Sequence, residues 1–109
     1  LAVSVAENTP VIVVILNNRM LGMVAQWQRL FYEKRYSAVQ LIHPDFVKLA
    51  EAYGAHGARV GSLGELATEL RHALLSDVTT VVDVPIDPEE DVVPMIPPGG
   101  SMKDVIGVA

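Results

Sequence analysis

Six consecutive aliphatic residues, Val11-Ile12-Val13-Val14-Ile15-Leu16, run straight into a pair of asparagines, Asn17-Asn18. β-Branched side chains lose rotamer freedom in a helix and pack well on a pleated surface. An unbroken run of them, with no polar alternation, predicts a strand buried on both faces. That is the environment of a parallel sheet covered by helices. The two asparagines end the run abruptly.

The rest of the chain supplies helices and strands in alternation. Leu1 to Glu7 reads as the end of a helix that Asn8-Thr9-Pro10 terminates, so the chain is expected to begin inside an element, as a fragment would. Met20 to about Lys34 predicts a helix with Met23, Trp27, Leu30 and Phe31 on one face, and Tyr36 to Ile42 a connection. A second helix opens with Pro44 at its first position and Asp45 in its first turn. It buries Phe46, Leu49, Ala50 and Tyr53 and stops at Gly54. Ala55 to Val60 predicts a short strand. Ser62 and Glu65 form a capping box for a third helix, whose buried stripe is Leu63, Leu66, Leu70, Ala73 and Leu74. Thr79 to Val84 is the last strand. Such alternation predicts parallel pairing through crossovers. The expected class is α/β, a partial open parallel sheet with flanking helices in three layers. Two regions follow: residues 1–86, the body, and residues 87–109, a tail rich in Pro, Gly and acid. An apolar island at Val92 to Ile96 suggests a tail that lies over another surface, with a short turn after Ser101.

Composition narrows the function. With 8 basic and 13 acidic residues the chain carries a net charge of −5, which argues against nucleic-acid or anionic-membrane partners. There is no cysteine, so disulfides, thiolate nucleophiles and cysteine metal sites are excluded, and a cytoplasmic setting is expected. No apolar run approaches the roughly 20 residues of a membrane span, and no signal-peptide pattern is present. A mean hydropathy of +0.34 suggests surface that packs against something else.

In open α/β sheets, ligands bind beyond the carboxyl ends of the strands, where Asn17 and Asn18 lie. An asparagine carbonyl is a hard, neutral oxygen suited to Mg²⁺, but Asn-Asn also suits a plain turn. Met23, Trp27, Leu30 and Phe31 at helical spacing suit a plain core equally well. His43 reads as a helix-start residue, and His56 and His72 as solvated or locally satisfied. Asp83, Asp87, Glu89, Glu90 and Asp91 read as a solvated acidic turn, and Arg29, Lys34 and Arg35 as a charged helix face. No spacing argues for a catalytic acid–base pair, so no catalytic side chain is assigned.

The run Asn17-Asn18-Arg19-Met20-Leu21-Gly22-Met23-Val24-Ala25-Gln26-Trp27, with Phe31-Tyr32 after it, resembles the acetohydroxyacid synthase (acetolactate synthase) family. Pro44 to Gly54 and Pro94-Met95-Ile96-Pro97-Pro98-Gly99-Gly100 extend the resemblance over nearly the whole chain. The double Asn marks the wider thiamine-diphosphate superfamily; G-M-V-x-Q-W is far more specific. The resemblance implies the C-terminal portion of a thiamine-diphosphate-binding domain, followed by a tail that acts as a lid. It implies that the enzyme condenses pyruvate with a second 2-ketoacid in branched-chain amino acid synthesis. Mg²⁺ would be held by Asn18 and the carbonyl of Met20. Leu21, Gly22 and Met23 would lie along thiamine diphosphate, and Met23, Trp27 and Phe31 in the substrate pocket. A third metal ligand, an Asp, would lie about 25 residues before Asn18 and so outside this chain. An activating glutamate and an FAD domain are also expected elsewhere, so the chain alone should be inactive. Implied partners are the rest of the catalytic subunit, a second copy in a homodimer or larger oligomer, and a regulatory subunit. The alternatives are another thiamine-diphosphate carboligase or decarboxylase, and a non-catalytic α/β binding module.

Overall fold

The computed structural model describes residues 1–107; Val108 and Ala109, the end of the expected tail, lie outside the described residues. The described residues form two compact bodies, residues 1–19 with 42–86, and residues 20–41 with 87–107.

The first body is a three-stranded parallel sheet in the order β1-β3-β2. β1 is Ile12–Asn17, β2 is His56–Arg59 and β3 is Thr80–Pro85. The central strand is the last one, with Thr80, Val81, Val82 and Asp83 all buried. Each buried valine contributes about 1.5–3 kcal/mol. The expectation that Val11 to Leu16 would be buried on both faces is corrected. β1 pairs only with β3, so it is an edge of this sheet, and Val14 and Leu16 remain 42% and 65% exposed. Only Ile15 of β1 packs on the cluster of Ala50, Ala55 and Val81, where Leu1, Val5 and Phe46 also pack.

Helices α1 (Ala2–Ala6), α3 (Phe46–Ala52) and α4 (Leu63–Leu75) complete this body. Two details of α3 differ from expectation. Asp45 is its N-cap, with Oδ1 accepting from the backbone N–H groups of Val47 and Lys48, and Pro44 precedes the cap. Chiefly the Lys48 N–H holds the Asp45 carboxyl below the usual carboxylate range, with the Arg59 charge adding to it. The cap is therefore in force above the unfolded carboxylate pKa and is lost as pH falls through the lowered value. The buried stripe also shrinks to Ala50 with half-buried Phe46 beside it, because Leu49 and Tyr53 are exposed. In α4 the Ser62 Oγ accepts from the Glu65 N–H at 3.2 Å, whereas the Glu65 carboxylate accepts from Gly61 N instead of closing back on Ser62. Leu63 and Leu74 face out, and Ala73 is the buried residue of α4.

The second body centres on α2, Gly22–Phe31, which is shorter than the expected 20–34. Glu33 and Lys34 take left-handed backbone angles of 52° and 58°, incompatible with a continuing helix. The tail is organised within this body. Met95 and Ile106 pair through both backbone groups, and Ser101 and Asp104 form a reciprocal capping box on a 3₁₀ turn, Met102–Asp104.

Candidate functional site

The site begins at the carboxyl end of β1. Asn17 turns into the sheet: its Nδ2 donates to Asp83 Oδ1 at 2.9 Å, and its Oδ1 accepts the Arg19 N–H at 3.2 Å. The Asp83 side chain is 0% exposed, and its other oxygen accepts from Arg59 Nε at 2.9 Å. Arg59 also reaches Asp45 at 3.4 Å. Asp83 is thus a buried, fully engaged carboxylate, which corrects its reading as part of a solvated acidic turn. Charge-assisted hydrogen bonds of this kind offset the desolvation of the group. Asn17 is committed to the sheet, Asn17 and Asn18 are both half-buried, and Arg19 follows at a φ of 59°.

In the second body Met20 bridges to Gln40, and the Leu21 N–H donates to Val39 O at 2.8 Å. These contacts fix the backbone just before Gly22 opens α2. The helix then reverses the usual polarity. Its buried residues are Ala25 and Gln26, while Met23 and Trp27 are 53% and 40% exposed, with Val24 and Phe31 also exposed. Trp27 and Phe31 meet edge to face, ring centres 5.9 Å apart at 77°. Met23, Trp27 and Phe31, four residues apart, therefore share one open face, and within this body they are not core.

Gln26 was missed by sequence reasoning. It is 2% exposed; its Nε2 donates to Val92 O at 3.0 Å and to Met95 Sδ at 3.1 Å, and its Oε1 accepts from Val92 N at 2.9 Å. Three residues on, Arg29 pairs with Asp91 and donates to Tyr36 Oη, so Asp91 too is no solvated acid. The available signal was an amide at i+3 from Met23 and i−1 from Trp27, set beside small Ala25 on a helix with no other buried position. Gln26→Leu leaves both Val92 backbone groups unpaired, at about 1–3 kcal/mol. Hydrogen exchange should then speed up at Val92, Met95 and Ile106. Unchanged exchange there would show that Gln26 does not anchor the tail.

Comparison with known proteins places this geometry. Residues 1–84 match the family described as thiamine pyrophosphate enzyme, C-terminal TPP binding domain. A probable acetolactate synthase large subunit from Methanocaldococcus jannaschii is 47% identical over 89% of this chain and 16% of its own length. The mitochondrial acetolactate synthase catalytic subunit of Saccharomyces cerevisiae is 42% identical over 97% of the chain and 15% of its own length. The acetolactate synthase isozyme 2 large subunit of Escherichia coli is 41% identical over 92% and 18%. The chain thus spans about a sixth of the length of these relatives. A solved structure, the thiamine diphosphate-dependent 4-hydroxybenzoylformate decarboxylase of Rhodococcus jostii RHA1, superposes with a TM-score of 0.73 at 27% identity, over 83% of this chain and 17% of that one. The chain belongs to the thiamine pyrophosphate enzymes, through that family's C-terminal TPP binding domain.

Proposed function

We propose that this chain is the C-terminal part of an acetolactate synthase catalytic subunit, an enzyme that decarboxylates pyruvate and joins it to a second 2-ketoacid on the way to branched-chain amino acids. The observation that carries this reading is the reversed polarity of α2. A helix that buries Gln26 and presents Met23, Trp27 and Phe31 is shaped to line a pocket, and it carries the G-M-V-x-Q-W run.

The residues present fit a metal-bound diphosphate by donor chemistry. The side-chain oxygen of Asn18 and the main-chain carbonyl of Met20 are hard, neutral donors of the kind Mg²⁺ takes. Neither brings negative charge, and among the described residues no group of three or more His, Cys, Asp or Glu side chains could hold a metal. The remaining ligand would come from outside this chain. Thiamine diphosphate, when bound, supplies the electron sink for decarboxylation. This chain's part would be to hold and enclose: Leu21, Gly22 and Met23 would lie along the cofactor, and Met23, Trp27 and Phe31 would line the substrate pocket, where Phe31 meets Trp27 edge to face. FAD would bind elsewhere in the subunit. The exposed apolar residues of β1 support packing against the rest of that subunit, in a homodimer or larger assembly, with a regulatory subunit as a further partner. No helix among the described residues is long and apolar enough to cross a membrane, and a cytoplasmic location is part of the proposal.

A chimera tests the reading: this chain replaces the matching segment of the Escherichia coli relative. The chimera should make acetolactate from pyruvate, and the 109-residue chain alone should make none. A folded chimera without activity, or an active isolated chain, would overturn it.

A further inference from the structure

We propose that Asp83 is a positioning residue for Asn18, acting through Asn17. Its carboxylate fixes which way round the Asn17 amide stands, and that amide holds the turn on which Asn18 sits. The inference rests on the reading of Asn18 as a ligand of the metal-bound diphosphate.

Asp83 lies on the central strand β3, with its side chain 0% exposed. A carboxylate buried there is costly unless donors reach both of its oxygens. One oxygen accepts from Asn17 Nδ2 at 2.9 Å and the other from Arg59 Nε at 2.9 Å. Arg59 also reaches Asp45 at 3.4 Å, so it is held from its far side.

An asparagine side chain donates at one end and accepts at the other. The Asp83 oxygen accepts, so it takes the Nδ2 end of Asn17. Oδ1 is then the end turned along the chain, where it accepts the Arg19 N–H at 3.2 Å. That bond closes a side-chain turn from residue 17 to residue 19 and spans Asn18. Arg19 stands at a φ of 59°, a left-handed angle uncommon for a residue with a Cβ, and this bond holds it there. On the other side the Asn17 carbonyl accepts the Ile86 N–H at 3.1 Å, which fixes residue 17 in the sheet. The backbone of Asn18 is thus set from both sides. Partners that orient a metal ligand typically account for about 10–100-fold in metal affinity.

Polarity, not shape, is decisive here, which separates the proposal from plain packing. Asp83→Asn has the same shape. Its single acceptor oxygen goes to the charged Arg59 donor, the stronger bond. Its amide NH₂ then faces Asn17, whose own amide must reverse, and donor meets donor at the Arg19 N–H. Swapping the pair, Asn17→Asp with Asp83→Asn, restores every match. The carboxylate at 17 accepts from the Arg19 N–H and from the amide at 83, whose oxygen accepts from Arg59.

Thiamine diphosphate titration of the chimera with Mg²⁺, and hydrogen exchange of the 109-residue chain without cofactor, test this. Asp83→Asn should weaken Mg²⁺-dependent binding about 10–100-fold, and should speed exchange at the Arg19 N–H while β3 stays protected. The swapped pair should regain at least about tenfold in binding, together with slow exchange at Arg19. Asn17→Asp alone sets two carboxylates face to face and should gain nothing. Asn17→Ala removes the turn but leaves Asp83 on Arg59, so it serves if Asp83→Asn does not fold; it should weaken binding at least about tenfold. A folded Asp83→Asn chimera that binds like its parent, a swapped pair that recovers nothing, tighter binding in Asn17→Asp alone, or undiminished binding in Asn17→Ala would each overturn the proposal. Undiminished binding in Asn18→Ala would overturn it by removing the reading beneath it. That case is told apart because exchange at Arg19 would still follow the pairing of residues 17 and 83.

Discussion

Replacing Trp27 by leucine in the active chimera should lower the preference for 2-ketobutyrate over pyruvate as acceptor by about 10–200-fold, toward unity. The two acceptors differ by one methylene. A hydrophobic wall that touches it can convert the difference into roughly 1–3 kcal/mol. An indole buries about 150–250 Å² when covered, enough to form one side of a small pocket. Trp27 has the accessibility this requires, and Phe31 meets its ring at 77°, restricting its rotation. Leucine keeps the helix and its apolar face but withdraws the wall. Decarboxylation of the donor pyruvate should be largely unaffected, because it precedes capture of the acceptor. Competing both acceptors and measuring the product ratio checks this. An unchanged ratio in a folded Trp27→Leu chimera would make Trp27 a packing residue only.

Gly57→Ala should destabilise the chain by about 1–3 kcal/mol, the usual range for overpacking. A Cβ on Gly57 would lie 2.7 Å from Val47 O and 2.8 Å from Val47 Cα. Both are backbone atoms of α3, so no side chain can rotate away. Nor is α3 free to retreat, because Asp45 caps it and Ala50 packs on Ala55 and Val81. Against this, replacing Gly by Ala restricts the unfolded chain and favours folding by about 0.4–1 kcal/mol. The clash is the larger effect, and thermal unfolding should move down by several degrees. A melting temperature equal to that of the parent would show that β2 and α3 can separate at no cost.

The order of elements was legible in the sequence because periodicity and caps are local. The Ser62 cap, the stop at Gly54 and the three strand segments all lie where the pattern placed them, within a residue or two. Burial was not local and was misread. Val11 to Leu16 and Thr79 to Val84 both read as buried strands, yet only β3 has neighbours on both sides. An apolar run cannot say whether it is flanked by one strand or two. The same limit explains Asp83, a carboxylate on a strand that becomes 0% exposed only because Asn17 and Arg59, on the two neighbouring strands, converge on it. Gln26 was invisible for the reverse reason: its partner is Val92, 66 residues away. The family resemblance rested on side-chain identities along one helix, so it did not depend on tertiary placement. Relatives named acetolactate synthase now match most of the chain.

The central claim is that this chain supplies part of a thiamine-diphosphate site through Asn18 and Met20, with the rest supplied from outside it. Titration of thiamine diphosphate with and without Mg²⁺, against the chimera, its Asn18→Ala variant and the isolated chain, tests this most directly. The account predicts saturable, Mg²⁺-dependent binding by the chimera, weakened at least about tenfold in Asn18→Ala, and none by the isolated chain. Undiminished binding in a folded Asn18→Ala chimera, or Mg²⁺-dependent binding by the isolated chain, would contradict it.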